Sequence, residues 1–434
     1  MKLDLHKLNV TGLEWGEKTT LRDGVLYVNK EEAVAACGSF PVVESFSLDL
    51  ARPGEDVRII PVKAAVEPRC KLTGEGAVFP GILDMGQAGV GATVALKNCA
   101  VLVTESGDEA LKCRTGGLVD MSGPAAAYCP FAKTFNVVLI ANVKAGELEK
   151  DTLATDEACR LASFRLAAYL ADCCKDVKAD EVKTYELAPV DEKLPKVVYV
   201  MQLLSQKPEI IDFHVYGQLA GTTLIPTVLH PNEIIDGAVT TFLGAHCTVC
   251  SDKQYMYEIQ NSPVIEECFS QHGKTLCFAG VIVHNEVITL EGKVRSSLFT
   301  SKLAHFLGAD GAILVTEGHG NPDEDIMMNV RSLENYGVKT VIISDELGGR
   351  DGKSPGLADW TPACNAMVSV GNTHQLLAVP EKMGRLIGNE KSVELVRAVI
   401  DASPAEADSF YTELIHLPCS CAQAGIFNVS AGWV

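Results

Sequence analysis

Between residues 277 and 372 short apolar runs, FAGVIVH, GAILVTE, KTVIISDE and AMVSVGN, alternate with helix-like stretches, and few architectures accept that alternation. Each run is too short for a helix of ordinary length and too continuously apolar for a strand with one wet face. Between them lie RSSLFTSKLAHFLG, with Phe299, Leu303, Phe306 and Leu307 on one helical face and Gly308 as terminator, and DEDIMMNVRSLENYG, ending at Gly337. Strands alternating with helices of this length predict βα units on an open, mostly parallel α/β sheet.

The first 150 residues read differently. GVLYVNK, DVRIIPV, GATVAL, NCAVLVTE and NVVLIANV are short β-rich segments punctuated by glycine and proline, so a β-containing N-terminal domain is expected over 1–150. From Thr155 the run TDEACRLASFRLAAYLADCC is helical, with Thr155 or Asp156 as cap. The stretch ELAPVDEKLPK, 186–196, is a connector and a candidate domain boundary, followed by VVYVMQLL and TTLIPTVLH as buried strands.

Charge and composition restrict the partners. With 56 acidic against 37 basic residues the net charge is −19, which opposes nucleic acid and anionic membranes. MKLDLHKLNV lacks the apolar stretch of a signal peptide, and no long uncharged apolar run follows, so a cytoplasmic location is expected. The 15 cysteines fit reduced thiols in a reducing cell better than a disulfide framework.

In open α/β sheets ligands bind beyond the carboxyl ends of the strands. Here the loops after two strands are polar and glycine-rich: EGHGNP from Glu317 to Pro322, and DELGGRDG from Asp345 to Gly352. Glu317, Asn321, Asp345 and Glu346 are therefore candidates to meet a substrate ammonium or to handle protons, with helix capping the competing role for Asn321. Arg350 is a candidate for a substrate carboxylate, with a turn contact to Asp351 as its alternative. Neither loop matches a dinucleotide or P-loop motif.

The stretch GAHCTVCSDKQ, 244–254, holds Cys247 and Cys250 three apart. The spacing admits a redox dithiol, part of a metal site with Cys419 and Cys421, or two buried apolar thiols. It also admits self-processing. A cysteine side chain that attacks the preceding carbonyl turns the amide into a thioester; β-elimination then breaks the chain and leaves dehydroalanine, which water hydrolyses to a pyruvoyl ketone, an electrophile built from the chain itself. Either cysteine is chemically eligible, and His246 is a candidate to assist proton transfer, with a solvated or packed side chain as the competing role.

Long segments in a fixed order carry a resemblance: LARPGEDVRIIPVK, EPRCKLTGEGAVFPG, DMSGPAAAYCPFAKTFNVV, IPTVLHPNEIIDGAV, CTVCSDK, EGHGNPDEDIMMN and SDELGGRDG. Over essentially its whole length the chain resembles the proprotein of component B of glycine, sarcosine and betaine reductases, and more distantly the D-proline reductase proprotein.

That resemblance implies cleavage before Cys247, the precursor of the pyruvoyl group, with His246 as its neighbour and no metal, and so an α/β segment over 151–246 that completes the β subunit and an α/β domain over 247–434 as the α subunit. It implies an oxidoreductase that binds a small amine or amino acid through a pyruvoyl Schiff base. Reductive C–N cleavage would then use a selenolate from other polypeptides, because this chain carries no selenocysteine. The implied partners are a selenocysteine-containing γ subunit, the selenoprotein component A, and component C, which forms acetyl phosphate. An uncleaved, non-catalytic assembly paralogue, a D-proline reductase-like subunit, and a thiol-redox or metal protein using Cys247 and Cys250 stand as alternatives.

Overall fold

The structure, a computed structural model, describes residues 1–107, 117–147, 152–203, 213–220, 224–242, 254–316, 320–400, 404, 408–422 and 430–432. The expected β-rich beginning is present. Val43–Ala51, Phe135–Val143, Cys99–Ser106 and Ala64–Val66 form one four-stranded sheet, and Glu181–Glu186, Lys2–Asn9, Gly91–Lys97 and Arg69–Lys71 form another. Val57–Val62 is buried at every residue, as a strand covered on both faces must be. It lies between Gly117–Asp120 and Arg385–Gly388, so the C-terminal part of the chain returns to complete a sheet begun at residue 57.

Helix α1, Thr152–Asp172, packs on this region, contributing Cys159, Phe164, Leu166 and Leu170 to its core. It starts one turn before the expected cap, so Thr155 and Asp156 lie inside it and are buried. Leu153 and Ala154 are strong helix formers, and nothing before Thr155 stops the helix.

The second half is the expected open sheet. In chain order its strands are β1 (Lys196–Leu203), which is followed by a separate small strand β2 (Phe213–Val215), then β3 (Thr227–Leu229). Next come a short helix α2 (Pro231–Ile235), a strand β4 (Val239–Thr241) paired with β2, and a short helix α3 (Met256–Gln260). β5 (Cys277–Asn285), α4 (Leu290–Phe306), β6 (Gly311–Thr316), α5 (Asn321–Asn335), β7 (Lys339–Glu346) and β8 (Met367–Asn372) complete the βα alternation. The sheet order is β3-β5-β1-β6-β7-β8, closed by Ser430–Gly432. β5, β1, β6, β7 and β8 are mutually parallel, while the two edge strands run antiparallel. β1 therefore sits between two strands that lie some eighty residues or more after it.

One helix meets expectation only in part: Leu303 and Leu307 pack half-buried against the core and Phe299 is half-buried, but the fully buried face is another one and Phe306 is exposed. α4 buries Lys293, Ser296, Ser297, Thr300, Ser301 and Ala304, whereas Leu290, Val294, Leu298 and Phe306 are exposed, Phe306 at 81 %. Small hydroxyl side chains allow close packing on α5, where the Ser301 and Ser332 hydroxyls meet at 2.7 Å. Most are satisfied by the helix itself: Ser297 donates to Val294 O, Thr300 to Ser296 O and Ser301 to Ser297 O, each at 3.0 Å. Burying them thus carries little of the usual penalty for a polar group. The terminators stand as expected, with Gly308 and Gly337 in the left-handed region at φ 68° and 81°.

Candidate functional site

The chain runs from β1 to β5 on one side and then returns past β1 to β6 on the other. This reversal opens a crevice beyond the carboxyl ends of β1 and β6, the place where such sheets take ligands. Polar side chains collect there. The Thr316 hydroxyl donates to the Gln202 amide oxygen across neighbouring strand ends, while the buried Gln202 Nε2 has no hydrogen-bond partner among the described residues. Past the apolar body of β5 the sequence turns at once to His284, Asn285 and Glu286, all fully buried.

Glu286 accepts from Asn321 Nδ2 at 2.5 Å. Lys293, in the first turn of α4, is 5 % exposed; its ammonium is paired with Asp325 and donates to Asn321 O at 3.0 Å. Thr289 caps that turn by accepting from Gly292 N at 3.2 Å. Burial pushes the Asp325 pKa up to about 7 against the pull of Lys293, so this carboxyl exchanges its proton near neutrality. Burial also pushes His284 down to about 4, leaving a neutral ring with no hydrogen-bond partner for either nitrogen among the described residues.

Beside the crevice, at the β5 edge, lies a cleft of about 420 Å³ between the residues entering β3 and the first turns of α4. Leu224, Pro226 and Phe299 give it an apolar wall, and Asn285, Arg295 and Ser296 a polar one.

The described residues on either side of 243–253 are gripped by the first hundred residues. Upstream, α2 is started by His230, whose Nδ1 accepts from Asn232 N at 3.2 Å, with Pro231 at its first position and Glu233 accepting from His230 N at 2.6 Å. Asp236, at its end, pairs with Lys71 and accepts from Gly89 N at 2.9 Å and from the Thr93 hydroxyl at 2.7 Å. Downstream, Gln260 exchanges two hydrogen bonds with the backbone of Glu67, at 2.9 and 3.1 Å.

Arg69 joins the two sides. Fully buried, it donates to the Ile235 carbonyl before the segment and to the Gln260 carbonyl after it, the latter at 3.0 Å, while Glu67 takes its remaining charge. Burial works against ionisation of Glu67, but Lys97 and Arg69 outweigh it and hold this carboxyl below its usual range. Upstream of the segment, the buried Thr240 and Thr241 hydroxyls and His214 Nδ1 have no hydrogen-bond partner among the described residues. His214 faces Thr240 across the β2–β4 ladder, and burial lowers its pKa to about 3.

Of the residues singled out in the sequence, His246, Cys247 and Glu317 lie outside the described residues, as does Cys250. Asn321 is in the crevice, bonded to Glu286 and, through its carbonyl, to Lys293. Asp345 is fully buried at the end of β7, and Glu346 beside it is half-buried. Arg350 donates to Glu413 at 2.6 Å and to the Val399 carbonyl at 3.0 Å, tying its loop to the Ser409–Glu413 strand. Cys419 and Cys421 are fully buried. Sequence reasoning passed over Glu286, Lys293 and Asp325. The switch from VIV to HNE at the end of β5 was a legible signal for Glu286, whereas Lys293 and Asp325 sit within helices and carry none.

The family described as glycine/sarcosine/betaine reductase component B subunits matches residues 1–432. The glycine reductase complex component B subunits alpha and beta of Peptoclostridium acidaminophilum are 39 % identical to this chain, over 99 % of both. The sarcosine reductase complex component B subunit alpha of the same organism is 40 % identical over 95 % of both. Its betaine reductase complex component B subunit alpha is 39 % identical over 88 % of this chain and 86 % of the relative. No solved structure matches.

Proposed function

The chain belongs to the glycine/sarcosine/betaine reductase component B family, and from that premise we propose that it is the precursor of the two pyruvoyl-enzyme subunits of a selenium-dependent amine or amino-acid reductase. The cut falls between His246 and Cys247. The observation that supports this reading best is the grip of Arg69 on the carbonyls of Ile235 and Gln260. An internal break between them leaves both new ends tethered through one buried guanidinium.

A cysteine suits the pyruvoyl group because its sulfur is a leaving group on Cβ. The hydroxyls of Thr240 and Thr241, a few residues upstream and without a partner among the described residues, are donors suited to steadying a carbonyl during self-processing. Once formed, the ketone supplies an electrophile for a substrate amine. The remaining work belongs to the crevice. Asp325, with its pKa near 7, takes and returns a proton; Lys293 holds its carboxylate in place; Asn321 fixes Glu286. The selenolate comes from a selenocysteine-containing γ subunit and the selenoprotein component A, with component C forming acetyl phosphate, in the cytoplasm. Among the described residues no helix is long and apolar enough to cross a membrane.

Intact-mass measurement and denaturing electrophoresis of the purified protein test this. The expected result is two chains divided before Cys247, the second with a blocked N-terminus that is labelled by hydroxylamine. A single full-length chain that resists labelling overturns the reading.

A further inference from the structure

The cleft at the edge of β5 contains a cation without a counterion. Every other described arginine is ion-paired with a carboxylate or lies over an aromatic ring. Arg295 has neither among the described residues, in a chain whose carboxylates outnumber its cations by 56 to 37. An exposed guanidinium that meets no neighbour in so acidic a molecule is held apart by its position on α4, one turn from the helix start and at the mouth of the cleft.

Ser296, the next residue, lines the same cleft. It is 4 % exposed, and its hydroxyl has no partner among the described residues. The other buried α4 hydroxyls that point inward donate to carbonyls of the preceding turn; Ser296 does not. A fork of guanidinium donors next to an unused hydroxyl, facing an apolar wall, suits a planar oxyanion on a small organic molecule. The volume, about 420 Å³, lies in the range of roughly 300–1,000 Å³ usual for small-molecule sites.

We propose that Arg295, aided by Ser296, anchors the carboxylate of a glycine-type amino acid in this cleft. The proposal rests on the reading of the chain as an amino-acid reductase subunit. Glycine, sarcosine and betaine, the compounds in the relatives' names, share one carboxymethyl group and differ in the methylation of nitrogen. A site that grips the shared end serves all three, and the crevice with Lys293, Asp325 and Glu286 adjoins it through Asn285 and the first turn of α4.

Isothermal titration of the purified full chain with glycine, sarcosine and betaine, and with the amide of whichever binds most tightly, tests the assignment. The wild type is expected to bind at least one acid and to bind its amide at least tenfold more weakly. Arg295→Gln should weaken the acid by about ten- to a hundredfold and leave the amide unchanged. Arg295→Lys should recover part of the loss, and Ser296→Ala should cost a few-fold. Failure of all three acids to bind, or equal affinity of Arg295→Gln and wild type for the acid, overturns the proposal. Arg295 is exposed, so the variant should fold, which its melting curve checks. Intact mass of the same samples separates the two readings: an uncut wild-type chain that still loses acid binding in Arg295→Gln sinks the precursor reading and keeps the anchor.

Discussion

The molecule treats its buried polar groups in two opposite ways. Around Val57–Val62 and the strands beside it, the buried cations and carboxylates answer one another. Arg58 meets both oxygens of Asp120 at 2.7 and 2.8 Å and also the Pro380 carbonyl at 2.9 Å, and Arg69, Glu67 and Lys97 form a closed set with the backbone of residues 235 and 260. At the strand ends of the second half, by contrast, His284, Gln202 Nε2 and Ser296 Oγ are as deeply buried and have no partner among the described residues. Buried polar groups are ordinarily satisfied, so the unsatisfied set marks where another molecule or chain segment completes the bonding. The first set is closed upon itself; the second leaves donors and acceptors open beside the paired Lys293 and Asp325.

The sharpest way to break this comparison is to remove Arg69. Arg69→Leu leaves Glu67 buried with only Lys97 and strands the carbonyls of Ile235 and Gln260, so a loss of about 3–5 kcal/mol in urea unfolding is expected. A loss below about 1 kcal/mol would mean that the network does not hold the region.

The next effect is in pH. Because the folded pKa of Asp325 is raised to about 7 from 3.8, the native state binds its proton more tightly than the unfolded chain. That contribution to stability is complete below about pH 4 and is lost as pH rises through 7. Neutral buried His284, with its pKa lowered to about 4, works in the opposite sense and is lost as pH falls through 4. Subtracting the stability profile of Asp325→Asn from that of wild type should isolate a component falling between pH 4 and 7. A flat difference would show that Asp325 stays ionised through this range.

A smaller effect is expected at His284 itself. With no bond to lose, His284→Leu should change stability by no more than about 1 kcal/mol in either direction by thermal melting. A loss of 3 kcal/mol or more would place it with the paired set. Smallest of all, Phe306→Ser should lie within about 0.5 kcal/mol of wild type, because the ring is on the outer face of α4.

Local pattern carried most of the fold. Apolar strands, the glycines ending α4 and α5, and the alternation of the second half all have a period or a punctuation that a sequence displays. The inward face of α4 had none, since serines satisfied by their own helix look polar in sequence and behave as small packing residues in the fold. The place of β1 between β5 and β6 is likewise silent, because strand order is set by contacts far apart in the chain. At the site, Asn321 was legible from its loop after a strand, but the link of Arg69 to residues 166 and 191 positions away leaves no local mark.

The position of β1 also decides what a cut would leave behind. A break before Cys247 assigns β1 and β3 to one piece and β5 to β8 to the other, so neither piece holds the sheet alone. Arg385–Gly388, from the later piece, likewise finishes the sheet of Val57–Val62 in the earlier one. A cut made after folding leaves each piece holding strands of the other's sheets. The finished product would then be two polypeptides woven together, which could part only by unfolding.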